Sequence, residues 1–322
     1  MKDSEIRLDI GGIVAQITSS HDETVDHVTE RYYNFLSDRP PDFGFEMALE
    51  ERVDPAGFLG VPFEMLRTFV LRDLTSKKET GERPARSAPG LNCDRKRSMP
   101  VVENRLASRP QVTQLGRKSL FQRSDLAGWI DVENRLGKCV LRKYLEPIAL
   151  ESYLRICYSF LAVENGGLLL HSAGIIRNGN GYIFPGVSGT GKSTIAGLAT
   201  SRERILSDEL VVVRKREDDF LVYSTPFFGT NKSTECNSRA ILKAAFLPIK
   251  DGRVYLEKAR PAAALRKLMS SILFFSREDG LNRRLMDISA ELVTKIPFYE
   301  MYFRRDNSFW ERIGDLEENG GI

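Results

Sequence analysis

Apolar and polar positions alternate with two different rhythms along this chain, and the changes of rhythm divide it. Near the start, IRLDIGGIVAQITS (6–19) alternates on both sides of Gly11–Gly12, which predicts two strands joined by a tight turn. SHDETVDHVTERYYNFLSD (20–38) opens with Ser20 and acidic residues, as a helix start should. DFGFEMALEE (42–51) predicts another strand, and VPFEMLRTFVLRDL (61–74) carries an apolar face. Residues 1–73 are therefore expected to form a small α/β unit. Between 74 and 124 the periodicity fades, prolines accumulate and basic residues outnumber acidic ones by about three to one. That composition predicts a basic, partly disordered linker or insertion.

From 125 to 322 the pattern is regular again. GWIDVENRLGKCVLRKY (128–144) predicts a hairpin, and PIALESYLRICYSFLAVENGG (147–167) an amphipathic helix stopped by Gly166–Gly167. LLLHSAGII (168–176) and GYIFP (181–185) are short strands joined by RNGNG, a strong hairpin signal. RILSDELVVVRK (204–215), AILKAAFLPIK (240–250) and PFYEMYFRR (297–305) predict strands. Helices are expected over 261–275 and 281–296, with a short terminal helix at DNSFWERI (306–313).

Residues Gly186–Ser193 read GVSGTGKS and fit G-x-x-x-x-G-K-[ST], the phosphate-binding loop. The apolar run before it predicts a strand and Thr194–Ala199 after it a helix, which is the context the motif needs. Its glycines let the backbone bring bare N–H groups up to an anion. Gly186, Val187, Ser188, Gly189, Thr190, Gly191, Lys192, Ser193 and Thr194 are the expected nucleotide-binding residues. Lys192 is placed for the β- and γ-phosphates of ATP, and the Ser193 hydroxyl for Mg²⁺. Asp208 and Glu209 follow Lys192 by only sixteen and seventeen residues. Their apolar flanks would bury the strand, so these acids are costly without a cation. They are expected to complete a Mg²⁺ shell, with Asp208 also taking the proton of an attacking hydroxyl. ATP-driven motors place their acidic strand farther from the lysine, so phosphotransfer chemistry remains.

Composition removes other classes. A net charge of +3 does not argue for nucleic acid, and no apolar run approaches the roughly 20 residues of a membrane span. Cys93, Cys139, Cys157 and Cys236 lie far apart with no C-x-x-C pair, which disfavours a zinc site and suits reduced thiols in the cytoplasm. His21 and His27 are expected at the surface, leaving His171 as the histidine near chemistry.

Together GLLLHSAGI, the hairpin, GVSGTGKST and RILSDELVVV resemble the catalytic domain of HPr kinase/phosphorylase, and most closely the looser set of HPr-kinase-related proteins. The resemblance covers about residues 160–230 well and the chain to about 312 more loosely. It implies an α/β, mixed-sheet P-loop kinase domain sharing its fold with ATP-dependent phosphoenolpyruvate carboxykinase, preceded here by the small α/β unit. It also implies that His171 lies beside the transferred phosphoryl group. Asp208 aligns with the catalytic carboxylate, and Glu209 stands where HPr kinases have a second aspartate. The glycine- and asparagine-containing segment linked to phosphorolysis is missing, and the first 150 residues differ from the family's N-terminal domain. HPr is therefore not the expected substrate. The expectation is an ATP- and Mg²⁺-dependent kinase with catalytic Asp208, His171 and Lys192, metal-ligating Ser193, Asp208 and Glu209, and a peptide or protein hydroxyl as acceptor. A small-molecule acceptor and a non-catalytic ATP-binding adaptor are the alternatives. Arg239, Arg260 and Arg304 are candidates for transition-state charge.

Overall fold

The computed structural model describes residues 4–54, 58, 110–143, 146–199, 203–227 and 236–322. It is a mixed α/β structure, rich in strands, built on two mixed sheets. The first begins with β1 (Ser4–Ile10) and β2 (Ile13–Ser19), the expected hairpin turning at Gly11–Gly12 with φ of 67° and 74°. Helix α1 (Asp22–Arg31) follows; its N-cap is His21 rather than Ser20, without a side-chain capping bond. His27 is exposed and His21 half-buried. Strand β3 (Phe43–Glu50) runs parallel to β2.

The chain then completes this sheet with β4 (Gln111–Leu115), β5 (Lys118–Arg123), β6 (Leu126–Asp131) and β7 (Leu136–Arg142). The order is β1-β2-β3-β7-β6-β5-β4, with β7 parallel to β3. The division expected at 125 thus falls between two paired strands of one sheet. Residues 111–115 and 118–123 are strands rather than linker, because β5 pairs β6 from Ser119 to Arg123 and buries Leu120 and Phe121. Residues 74–109 of the expected linker, and the 61–74 segment, lie outside the described residues.

Helix α2 (Glu146–Glu164) joins the two sheets. It is buried almost all round rather than amphipathic, because it packs on both of them. Its Tyr153 ring lies 5.4 Å from Phe45 and 5.5 Å from Phe121 in the first sheet, while Phe160 lies 5.7 Å from Phe274 on the other side. The Tyr158 hydroxyl donates to the Leu8 carbonyl at 3.1 Å.

The second, eight-stranded sheet holds β8 (Gly167–Arg177), β9 (Asn180–Pro185), β10 (Glu203–Ser207), β11 (Leu210–Arg216), β12 (Asp219–Tyr223), β13 (Arg239–Lys250), β14 (Tyr255–Lys258) and β15 (Phe298–Phe303). The expected β8–β9 hairpin forms, and β9 pairs β13 in parallel on its other side. Strand β13 in turn pairs β15 in parallel. Helices α4 (Pro261–Met269) and α5 (Asp279–Lys295) cover one face; α3 (Lys192–Gly197) and α6 (Ser308–Glu318) cover the other. Under α6, Phe184, Phe246, Phe309 and Trp310 form a separate aromatic core.

Candidate functional site

Strands β9, β13 and β15 run in the same direction, and their carboxyl ends meet at the glycine-rich loop. In open α/β sheets the crevice outside those ends is where ligands bind. Strand β9 ends at Pro185 and passes into the loop; β13 ends at Lys250 and β15 at Phe303. The β8–β9 ladder runs one step into the loop, with Gly186 N–H donating to the His171 carbonyl at 3.1 Å. His171 is therefore fixed beside the start of the loop by backbone, not by its own side chain.

The loop conformation demands glycine at two points. Gly189 has φ of 85°, and Gly191, which caps α3, has φ of 109°. A Cβ on Gly191 would also lie 2.6 Å from Phe303 Cζ, so the loop rests directly on the end of β15. Helix α3 begins at Lys192, earlier than expected, and has only six residues.

Lys192 folds back over the loop, its Nζ donating to the carbonyls of Gly186 at 2.8 Å and Val187 at 3.1 Å. Burial pushes its pKa down, while Glu209 and then Asp208 oppose that shift. The acidic pair is thus close enough to the ammonium to act on it.

Asp208 and Glu209 do not lie within a regular strand. Strands β10 and β11 both pair with β8, and the register slips by one residue between Ile205 and Ser207. The two acids occupy the break after this bulge, a device that re-aims side chains. Ser207 holds the break: its hydroxyl accepts from Glu209 N–H and Leu210 N–H, both at 3.1 Å, and donates to the Phe227 carbonyl. The Glu209 carbonyl accepts from Ser172 N–H at 3.0 Å.

These elements enclose a cavity of about 470 Å³. From the loop, Val187, Ser188, Gly189, Gly191, Lys192, Ser193 and Thr194 line it. Gly186 and Thr190 do not; they shape the loop, Thr190 by donating its hydroxyl to the Val187 carbonyl at 2.9 Å. His171, Asp208 and Glu209 reach the same cavity from β8 and the β10–β11 break. Asp208 is almost fully buried. The His171 pKa is lowered to about 4, first by burial and then by Lys192 and Arg155, so its imidazole is neutral at pH 7.

A hydroxyl and two carboxylates are hard oxygen donors of the kind Mg²⁺ takes. Among the described residues no group of three or more His, Cys, Asp or Glu side chains could hold a metal ion. Mg²⁺ is commonly held by one or two carboxylates, with water and phosphate oxygens supplying the other positions. The donor set of Ser193, Asp208 and Glu209 fits it.

Two cavity residues escaped the sequence reading: Lys250, at the end of β13, and Ser270, after α4. A third cation stands just outside. Arg155 on α2 directs Nη1 toward Glu209 Oε1 at 3.4 Å and Nη2 to Glu151 at 2.7 Å. In the sequence it looks like half of an ordinary i,i+4 ion pair. Arg239, Arg260 and Arg304 are exposed and line no part of the cavity; Arg304 pairs with Asp306. No helix among the described residues is long and apolar enough to cross a membrane.

The family described as "ScmC: SynChlorMet cassette protein ScmC" matches residues 140–317, more than half of the chain. That span begins near the end of the first sheet and takes in every cavity residue. No curated protein matches the chain.

Proposed function

This chain belongs to the ScmC family of SynChlorMet cassette proteins, and we propose that it is an ATP- and Mg²⁺-dependent kinase of the HPr-kinase-related type. Its acceptor is a hydroxyl, that of serine or threonine in a peptide or protein. One observation carries the reading: a single cavity joins a glycine-rich loop, its lysine and an acidic pair, buried Asp208 and half-buried Glu209. A glycine-rich turn serving only the fold would not need Asp208 and Glu209 aimed at it by a bulge.

In this reading the loop N–H groups and Lys192 hold the β- and γ-phosphates of ATP. To do so, Lys192 exchanges its carbonyl acceptors for phosphate oxygens. Ser193 and the acidic pair hold Mg²⁺, which when bound offsets the negative charge of the phosphates. Asp208 accepts the proton of the acceptor hydroxyl as its oxygen attacks the γ-phosphorus. The bond from that phosphorus to the bridging oxygen breaks, and ADP leaves with the electron pair. Neutral His171 donates a ring N–H to a phosphoryl oxygen without adding a proton the chemistry does not need.

The test is transfer of label from γ-labelled ATP with Mg²⁺ into a peptide pool and a metabolite pool offered separately. Label in peptides that disappears in Asp208→Asn supports the reading. Label in metabolites alone moves the acceptor to small molecules. Tight ATP binding with transfer to neither pool contradicts a kinase and supports an adaptor.

A further inference from the structure

A second cavity, of about 320 Å³, adjoins the first and is lined by Arg31 of α1, Arg123 of β5, and Pro147, Ile148, Glu151, Ser152 and Arg155 of α2. We propose that it is the acceptor subsite of the kinase reading, on which this inference rests, and that it receives a carboxylate carried by the acceptor.

Charge is the first argument. Three arginines and one glutamate line the cavity, a lining charge of +2 (three minus one), with Asp125 and Glu209 paired to Arg123 and Arg155 from outside the lining. Glu151 is shared, one oxygen meeting Arg155 Nη2 and the other Arg31 Nη2. Arg123 is braced by Asp125, through bonds of 2.5 and 2.6 Å, and by Ser152 at 2.9 Å. The network is drawn from three elements, and its arginines keep donors beyond these pairs. A guanidinium carries five N–H donors; the bonds named here engage one on Arg31 and at most three on Arg123, which leaves donors for an incoming carboxylate.

Position is the second argument. Arg155 lines this cavity and Glu209 lines the other, and their side chains lie 3.4 Å apart. A carboxylate bound at Arg155 is therefore one side chain from the acidic pair, and a hydroxyl on the same molecule can reach Asp208. Two of the three arginines come from the first sheet and its helix, giving that half of the chain a part in choosing the acceptor. The carboxylate has two possible sources, an acidic side chain in a peptide or the carboxyl group of a free hydroxy amino acid.

Equilibrium binding without nucleotide tests this on the full chain. The probes are Ser-centred peptides randomised over Glu, Gln and Lys at the flanking positions, with free L-serine as a separate arm. Wild type should enrich Glu over Gln at one or more positions by about tenfold, as expected for desolvated charge pairs. Arg155→Gln should erase that preference, and Arg31→Gln, at a side chain about half exposed, should cut it several-fold with no loss of fold. L-Serine binding with the same dependence on both arginines would support the carboxylate site and identify a small-molecule source. No enrichment of Glu over Gln together with no arginine-dependent L-serine binding, or a preference that survives both substitutions, would overturn the proposal. Label transfer separates the two readings. Arginine-dependent binding without transfer contradicts the kinase and keeps the carboxylate site; equal transfer to Glu and Gln peptides keeps the kinase and overturns the subsite.

Discussion

The loop around Lys192 and the seam around Arg214 each bury a cation against backbone carbonyls, and they differ in what those carbonyls belong to. Arg214 donates to the carbonyls of Asn165, Gly11 and Gly12 at 2.8, 3.3 and 3.1 Å, tying α2, the β1–β2 turn and β11 together. The turn packs so tightly that a Cβ on Gly11 would lie 2.7 Å from Val212 Cγ1. Among the described residues the Lys192 ammonium bonds only to carbonyls of its own loop, and it faces an open cavity. Burial and carbonyl bonding are common to both. What separates a structural cation from a candidate functional one is whether its partners are irreplaceable. Arg214 has no exchange to make, whereas Lys192 can trade its carbonyls for phosphate oxygens and leave the fold intact.

The sharpest way to break that comparison is Lys192→Ala. It should lower transfer by about 100-fold or more, the scale for losing one preorganised charge-stabilising donor, while thermal unfolding shifts little. Arg214→Met should do the reverse. Leaving buried carbonyls unpaired should cost about 2–4 kcal/mol in denaturant unfolding, with ATP affinity unchanged where the protein is folded. Equal stability loss in both variants would erase the distinction.

Smaller effects refine it. Ser207→Ala frees the break that aims Asp208 and Glu209, and should lower transfer about tenfold through misplacement, with about 1 kcal/mol lost in stability. His171 should show itself in the pH dependence of stability. Its folded pKa of about 4 lies below the ordinary 6.5, so the unfolded chain binds the proton more readily in that window. Stability should therefore fall as pH drops from 6.5 toward 4 and stay flat above it. His171→Gln should flatten the slope, as followed by unfolding at stepped pH.

Local patterns made much of this molecule legible. The Gly11–Gly12 and RNGNG hairpins, the β13 and β15 strands and the glycine-rich loop all announce themselves within a few residues. Membership of the first sheet does not. Strand β7 pairs β3 across some ninety positions, and nothing within β6 or β7 indicates that partner, so the regular pattern after 125 looked like the start of a second unit. The same limit hid the site's outer members. Lys250 ends a strand whose apolar run gives no hint of a cavity. Arg155 sits in helical spacing with Glu151, the ordinary mark of a solvated pair, and only the fold brings it to Glu209. Ser207, adjacent to the acids, was visible, but a hydroxyl bracing a strand break looks like any other serine in a sequence.

The central claim is that the loop supplies most of the nucleotide binding and that Asp208, beyond its share of the Mg²⁺ shell, takes the acceptor proton in the transfer. Measuring Mg²⁺–ATP affinity and label transfer side by side in wild type and Asp208→Asn tests it most directly. The account predicts affinity within a few-fold of wild type and transfer reduced by about 100-fold or more. Undiminished transfer in Asp208→Asn would contradict it.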